Sequence, residues 1–175
     1  AVYRIDTPSG GTSILRLHRP HYRSVPEIRA EMTFVECLRK DHILPTPRII
    51  PTTQGELLAI VGDGDEQQHA VLVEYKPGHN PSEDHLAEEF HQLGIIAARL
   101  HDYTDAQAEL HTLSRPVWDV EIAIGEQAMW GCWKNTRVMT AQQRAILQDA
   151  EQKLRHELGQ YGRPKGRWGL LHGDM

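Results

Sequence analysis

The chain predicts an α+β fold in two lobes, an antiparallel sheet with one helix followed by a mostly helical part. Three observations lead there. Residues 1–76 hold short, turn-bounded apolar segments around a single capped helix. Lys76-Pro77-Gly78 marks a shift in composition, and two long amphipathic patterns follow it. We therefore expect an N-terminal lobe over 1–76, ending in a connecting segment, and a partial helical lobe over 77–175. The 175 residues suffice for a core of this size.

The first strand is expected at Val2 to Asp6, the turn at Pro8-Ser9-Gly10-Gly11 and the return strand at Thr12 to His18. Period-two alternation puts Ile14, Arg16 and His18 on one face of that return strand. Ser24-Val25-Pro26-Glu27 is a capping box with proline in the first turn, so a helix begins there. Its apolar stripe is Ile28, Met32, Val35 and Leu38, and Glu31 falls inside the stripe. A carboxylate on a buried face is costly unless a cation or several donors meet it. Glu31 thus asks for a partner.

Short strands are expected at Arg48 to Pro51, Glu56 to Val61 and Ala70 to Tyr75, with Gln54-Gly55 as a turn. Beyond the connecting segment, Pro81-Ser82 starts a helix whose apolar face holds Leu86, Phe90, Leu93, Ile96, Ala97 and Leu100. Trp118 to Trp133 reads as helix and turns, interrupted by Gly125 and Gly131. Thr140-Ala141-Gln142-Gln143 is a second capping box, opening a helix with Ile146, Leu147, Ala150, Leu154 and Leu158 on its apolar side. A loop at Gly159 to Lys165 leads to Trp168-Leu171 and the terminal His172-Gly173-Asp174-Met175.

Composition narrows the function. The formal charge of −5 is spread without basic blocks, which argues against nucleic acid as a partner. No apolar run approaches the roughly 20 residues of a membrane helix. Cys37 and Cys132 form no CxxC pair, and a reduced, cytoplasmic protein is the simplest reading. His18, His21, His42, His69 and His79 lack metal-ligand spacing, so surface or locally bonded roles outweigh a metal site. Trp118, Trp130 and Trp133 fit either a pocket for a cationic ligand or core packing, the commoner role.

Several segments, each weak alone, fall in a meaningful order. Ile14-Leu15-Arg16-Leu17-His18-Arg19-Pro20 resembles the third strand of the aminoglycoside phosphotransferase, choline kinase and type II homoserine kinase group. Leu93 to His101 (LGIIAARLH) is similar to that group's central helix, and Gly169 to Asp174 (GLLHGD) resembles the start of its catalytic loop. The resemblance covers nearly the whole chain. Around Trp118 to Trp133 it is nearest to phosphotransferases close to type II homoserine kinases.

The resemblance implies a bilobal protein-kinase-like fold and transfer of the γ-phosphoryl group of ATP to a hydroxyl of a small molecule. Such chemistry needs positioning and charge neutralisation above all. Arg16 stands where the wider fold has a phosphate-binding lysine, and its planar fork suits phosphate. Glu31 stands where the helix glutamate pairs with that cation, although a partly exposed helix acid would read the same. Glu74 and Lys76 would offer a carbonyl and an N–H to adenine, though an ordinary strand-to-helix connection has the same pattern. Asp174 would be the catalytic aspartate, with His172 bracing the loop; a surface turn is the alternative.

The resemblance also implies magnesium, held by an asparagine and a second aspartate expected after Met175, and a first strand expected before Val2. The chain is accordingly expected to be an incomplete piece, inactive by itself and exposing apolar surface. Two other functions stay open: a catalytically silent nucleotide-binding module, and a protein Ser/Thr kinase on the same fold.

Overall fold

The structure is a computed structural model that describes residues 1–126, 128–164 and 166–171. It forms two compact units. One comprises Ala1–Arg115 with residues 169–171, the other Pro116–Trp168.

The first unit is built on a five-stranded antiparallel sheet ordered β1-β2-β5-β3, with β4 also on β5. Strand β1 is Val2–Asp6 and β2 is Thr12–Leu17. The turn between them closes through Thr7 N–H to Gly11 O and Gly10 N–H to Thr7 O. Gly10 sits at φ 86°, which side-chain-bearing residues resist. Strand β5 spans Gln68–Glu74 and pairs with β2 along one edge. Its other edge is shared by β3, Ile49–Ile50, and β4, Ala59–Val61. These two strands are shorter than the sequence pattern predicts. Pro47 and Pro51 flank β3 and can donate no ladder hydrogen bond, which stops it after two residues.

Helix α1, Val25–Lys40, starts where the capping box predicts. The Glu27 N–H donates to Ser24 Oγ, and the Ser24 N–H donates to Glu27 Oε2 at 2.7 Å. Arg39 and Lys40 in the last turn suit the negative end of the helix. The helix buries Ile28 and Met32 against Ile49 of β3 and Val71 of β5, with Leu58 and Val73 at the margin. This cluster fixes α1 on one face of the sheet. The full burial of each such side chain stabilises by about 1.5–3 kcal/mol.

Helix α2 is Leu86–Ala106, preceded by a 3₁₀ turn at Glu83–His85. The apolar face predicted here closes only toward its end, where Leu100 and Thr104 are buried together with Leu110 of the 3₁₀ segment Ala108–Thr112. Leu86 and Phe90 stand 43% and 57% exposed, against expectation. Among the described residues no element of this unit covers that first half.

In the second unit α3, Val120–Ile124, is capped by the Asp119 side chain, and α4, Ala141–Tyr161, by the Thr140/Gln143 box. Here the expected apolar stripe is overturned more fully. Ile146, Leu147, Leu154 and Leu158 are exposed, and the buried side chain of α4 is Glu151. The unit closes on α4 through charge and hydrogen bonds rather than through that stripe. Trp118 and Trp130 are likewise exposed and meet edge to face, ring centroids 5.2 Å apart. Core packing therefore does not describe these two within their unit.

Candidate active site: an arginine and a glutamate shared by sheet and helix

The register of the sheet explains how Arg16 reaches α1. Across the β2–β5 ladder Arg16 lies opposite Val71, and Ile14 opposite Val73. Residues directly opposite point to the same face. Val71 and Val73 are the β5 residues that pack with α1, so Arg16 is delivered to α1 as well. Glu31 lies between Ile28 and Met32 on the helix, and Arg16 Nη1 donates to its Oε1 at 2.5 Å.

The side chains of Arg16 and Glu31 are 50% and 31% exposed. A pair this wet stabilises a fold by only about 0–1 kcal/mol. Its effect is therefore geometric: it holds a guanidinium at the sheet–helix junction, with further donors uncommitted among the described residues. A second arginine, Arg115, stands on the other side of the carboxylate. Its Nη1 lies 3.7 Å from Glu31 Oε2 and donates to the Glu27 carbonyl at 3.0 Å. Sequence reasoning missed Arg115. It sits in a loop outside any periodic pattern, far along the chain from its partners.

His18, two residues beyond Arg16, is buried rather than at the surface, one of the two roles expected of it, and its main-chain N–H donates to the His69 main-chain carbonyl. Burial first, and then the nearby Arg16 charge, push its imidazole below the ordinary 6.5. The folded state thus prefers neutral His18. Stability from this group is complete above the unfolded value of 6.5 and declines as pH falls below it, because the unfolded chain then binds more protons. Carboxylates such as Glu36, held down by its hydrogen bond to Arg39, lose their contribution only below the ordinary 4.5. We expect the melting temperature of the protein to decline between pH 7 and 5, and His18→Asn to flatten that segment of the curve. An unchanged slope in the variant would remove His18 as its source.

Glu74 ends β5. Its N–H donates to the Arg48 carbonyl, and its carboxylate accepts from Arg48 N–H at 3.4 Å and lies 3.2 Å from Lys76 Nζ. Both side chains are exposed and occupied with each other. Among the described residues, the Lys76 N–H donates to no backbone carbonyl. Asp174 and His172 lie outside the described residues.

In the second unit Glu151 gathers donors from two segments. It accepts from Trp133 Nε1 at 2.9 Å and from Arg155 Nε and Nη2 at 2.9 and 2.8 Å, with Lys134 Nζ at 3.4 Å. Arg155 also bonds Glu121 of α3, and Arg144 bonds the Lys134 and Thr136 carbonyls. A hollow of about 370 Å³ adjoins this cluster. The guanidinium donors are already spent on protein acceptors, so the cluster acts as a clasp joining α3, α4 and the 3₁₀ turn Trp133–Asn135. The sequence held a signal for it. Glu151 lies among Leu147, Leu154 and Leu158 as Glu31 lies within its own stripe.

Among the described residues no group of three or more His, Cys, Asp or Glu side chains is placed to hold a metal ion, and no helix is long and apolar enough to cross a membrane.

The antiparallel sheet with α1 on one face and helices following is a kinase-like phosphotransferase fold, as comparison with solved structures shows. The solved microcompartment-associated aminopropanol kinase shares it: 30% of residues are identical over 98% of this chain and 53% of that one, with a TM-score of 0.83. An amicoumacin kinase, hAmiN, solved in complex with AMP-PNP, Ca2+ and Ami, is 21% identical over 99% of this chain and 50% of its own, with a TM-score of 0.69. The chain belongs to the phosphotransferase enzyme family named APH, whose family model matches residues 1–175. The resemblance read from the three sequence segments is thereby borne out. The chain spans about half the length of these solved kinases. The curated proteins contain no match to it.

Proposed function

We propose that the full-length protein is an ATP-dependent kinase that transfers the γ-phosphoryl group to a hydroxyl of a small molecule. The observation that carries this reading is the Arg16–Glu31 contact at the sheet–helix junction, in a chain whose family is one of phosphotransferases. Arg16 would hold the nucleotide phosphates, using guanidinium donors not committed to Glu31. Glu31 would keep that fork aimed. The Glu74 carbonyl and the Lys76 N–H would meet adenine, as the family resemblance implies for the segment that ends β5. Asp174 would orient the acceptor hydroxyl and take its proton. Magnesium would neutralise phosphate charge, as the family resemblance implies.

Among acceptors, amino alcohols come first, ahead of aminoglycosides and homoserine-like compounds. The aminopropanol kinase at 30% identity supports that order. The lobe division at residues 76 and 77 belongs to the same reading, as does a cytoplasmic location, where ATP is available. Two unlinked cysteines fit that location.

The test is ATP consumption by the full-length protein across amino alcohols, sugars and aminoglycosides. Phosphorylation of at least one is expected. Nucleotide binding without transfer to any would favour a silent module, and transfer to protein alone a Ser/Thr kinase. If the backbone at 76 meets adenine, Lys76→Ala should leave nucleotide affinity nearly unchanged. Lys76→Pro, which deletes the N–H, should weaken it about tenfold, the worth of roughly one hydrogen bond. Equal effects from both would rule out the backbone contact.

A further inference from the structure

The two carboxylate oxygens of Glu31 face two different arginines. Oε1 accepts from Arg16, and Oε2 lies 3.7 Å from Arg115 Nη1, an ion-pair distance beyond hydrogen-bond range. The same Arg115 nitrogen donates to the carbonyl of Glu27, four residues before Glu31 and so directly above it on one face of α1. That main-chain bond determines where the guanidinium sits, and its charge then falls on the outer oxygen of Glu31. The Arg115 side chain is 30% exposed, against 50% for Arg16, so solvent weakens its pull on Glu31 less.

We propose that Arg115 is a positioning residue for the nucleotide site, holding Glu31 so that Glu31 can hold Arg16. The inference rests on the nucleotide-binding reading of Arg16 given above. A carboxylate with one cation can swing about its own χ angles and follow that cation. With a second cation anchored to the helix main chain, its orientation is set before nucleotide arrives. When phosphates draw on the Arg16 fork, Glu31 also keeps a counter-charge and does not compete for it as strongly. Arg115 precedes Pro116, so the segment leaving the first unit takes part in setting the phosphate-binding cation.

The alternative is that Arg115 merely ties its loop to α1 through the Glu27 carbonyl, in which case its charge is immaterial. The experiment separates these by calorimetric binding of a non-hydrolysable ATP analogue to the full-length protein. Arg115→Met keeps the apolar stem and loses the charge; Arg115→Lys keeps the charge. Arg115→Met is expected to weaken binding about five- to tenfold, within the usual range for contacting groups, while Arg115→Lys stays within about threefold. In a Glu31→Gln background, Arg115→Met should have no further effect. In turnover, the loss should appear in the KM for ATP and leave the KM for the acceptor unchanged.

Equal losses from Met and Lys, or the same loss with and without the Glu31 carboxylate, would overturn the proposal and leave only the loop anchor. If the unaltered protein fails to bind the analogue, the nucleotide-binding reading falls and this inference falls with it. If the unaltered protein binds and Arg115→Met binds equally well, only this inference falls.

Discussion

Replacing Asp174 by alanine in the full-length protein is expected to lower turnover by about 10²–10⁴-fold, the range for loss of a positioned acid–base group. Affinity for nucleotide should change by less than about twofold, because the assigned role concerns the acceptor hydroxyl rather than the phosphates. The residue follows Gly169 to Gly173 in the segment that resembles the family's catalytic loop. Asp174→Asn, which keeps the shape and removes the basic oxygen, should lose nearly as much as alanine. Steady-state kinetics with the best acceptor and calorimetry with an ATP analogue provide both readings. Turnover that survives either substitution would strip Asp174 of this role, whatever becomes of the family assignment.

Ile28→Ala carries the largest expected effect on stability. Ile28 is 1% exposed at the centre of the cluster that joins α1 to β3 and β5. Truncating such a side chain costs about 2–5 kcal/mol, combining lost transfer energy and the cavity left behind. Chemical denaturation of the full-length protein measures it. Ile60→Ala offers the contrast: Ile60 is 63% exposed on β4, and its loss should fall within about 0.5 kcal/mol. Because Glu31 rides on the same helix, Ile28→Ala should also weaken nucleotide binding. A cost below about 1 kcal/mol would mean that α1 is held on the sheet by something other than this cluster.

What the sequence made legible follows the range of the forces involved. The caps at Ser24 and Thr140 were readable because partner and cap lie three residues apart. The β1–β2 hairpin was readable because the turn that closes it, Thr7 to Gly11, is nearly as local. The partner that Glu31 demands follows from its place in an apolar stripe, and Arg16 meets it in the structure from 15 residues away. Arg115 was illegible because 88 residues separate it from the Glu27 carbonyl it bonds, and no periodicity marks a loop arginine. Periodicity also misled. The stripes from Leu86 to Phe90 and from Ile146 to Leu158 name faces able to be buried, but burial needs a covering element. Asp174 was named by resemblance, and the described residues end before it.

The ladder position of Arg16 opposite Val71 has a consequence for how this chain tolerates change. Strand side chains obey parity. One residue inserted or deleted within β2 ahead of Arg16 would turn the guanidinium from the helix side to the opposite face, while leaving the strand itself able to pair. Two would restore its facing one step along the ladder. The site is therefore encoded in an even-or-odd count as much as in residue identity. A substitution elsewhere in β2 leaves that facing intact, whereas a single-codon indel ahead of Arg16 acts as a switch.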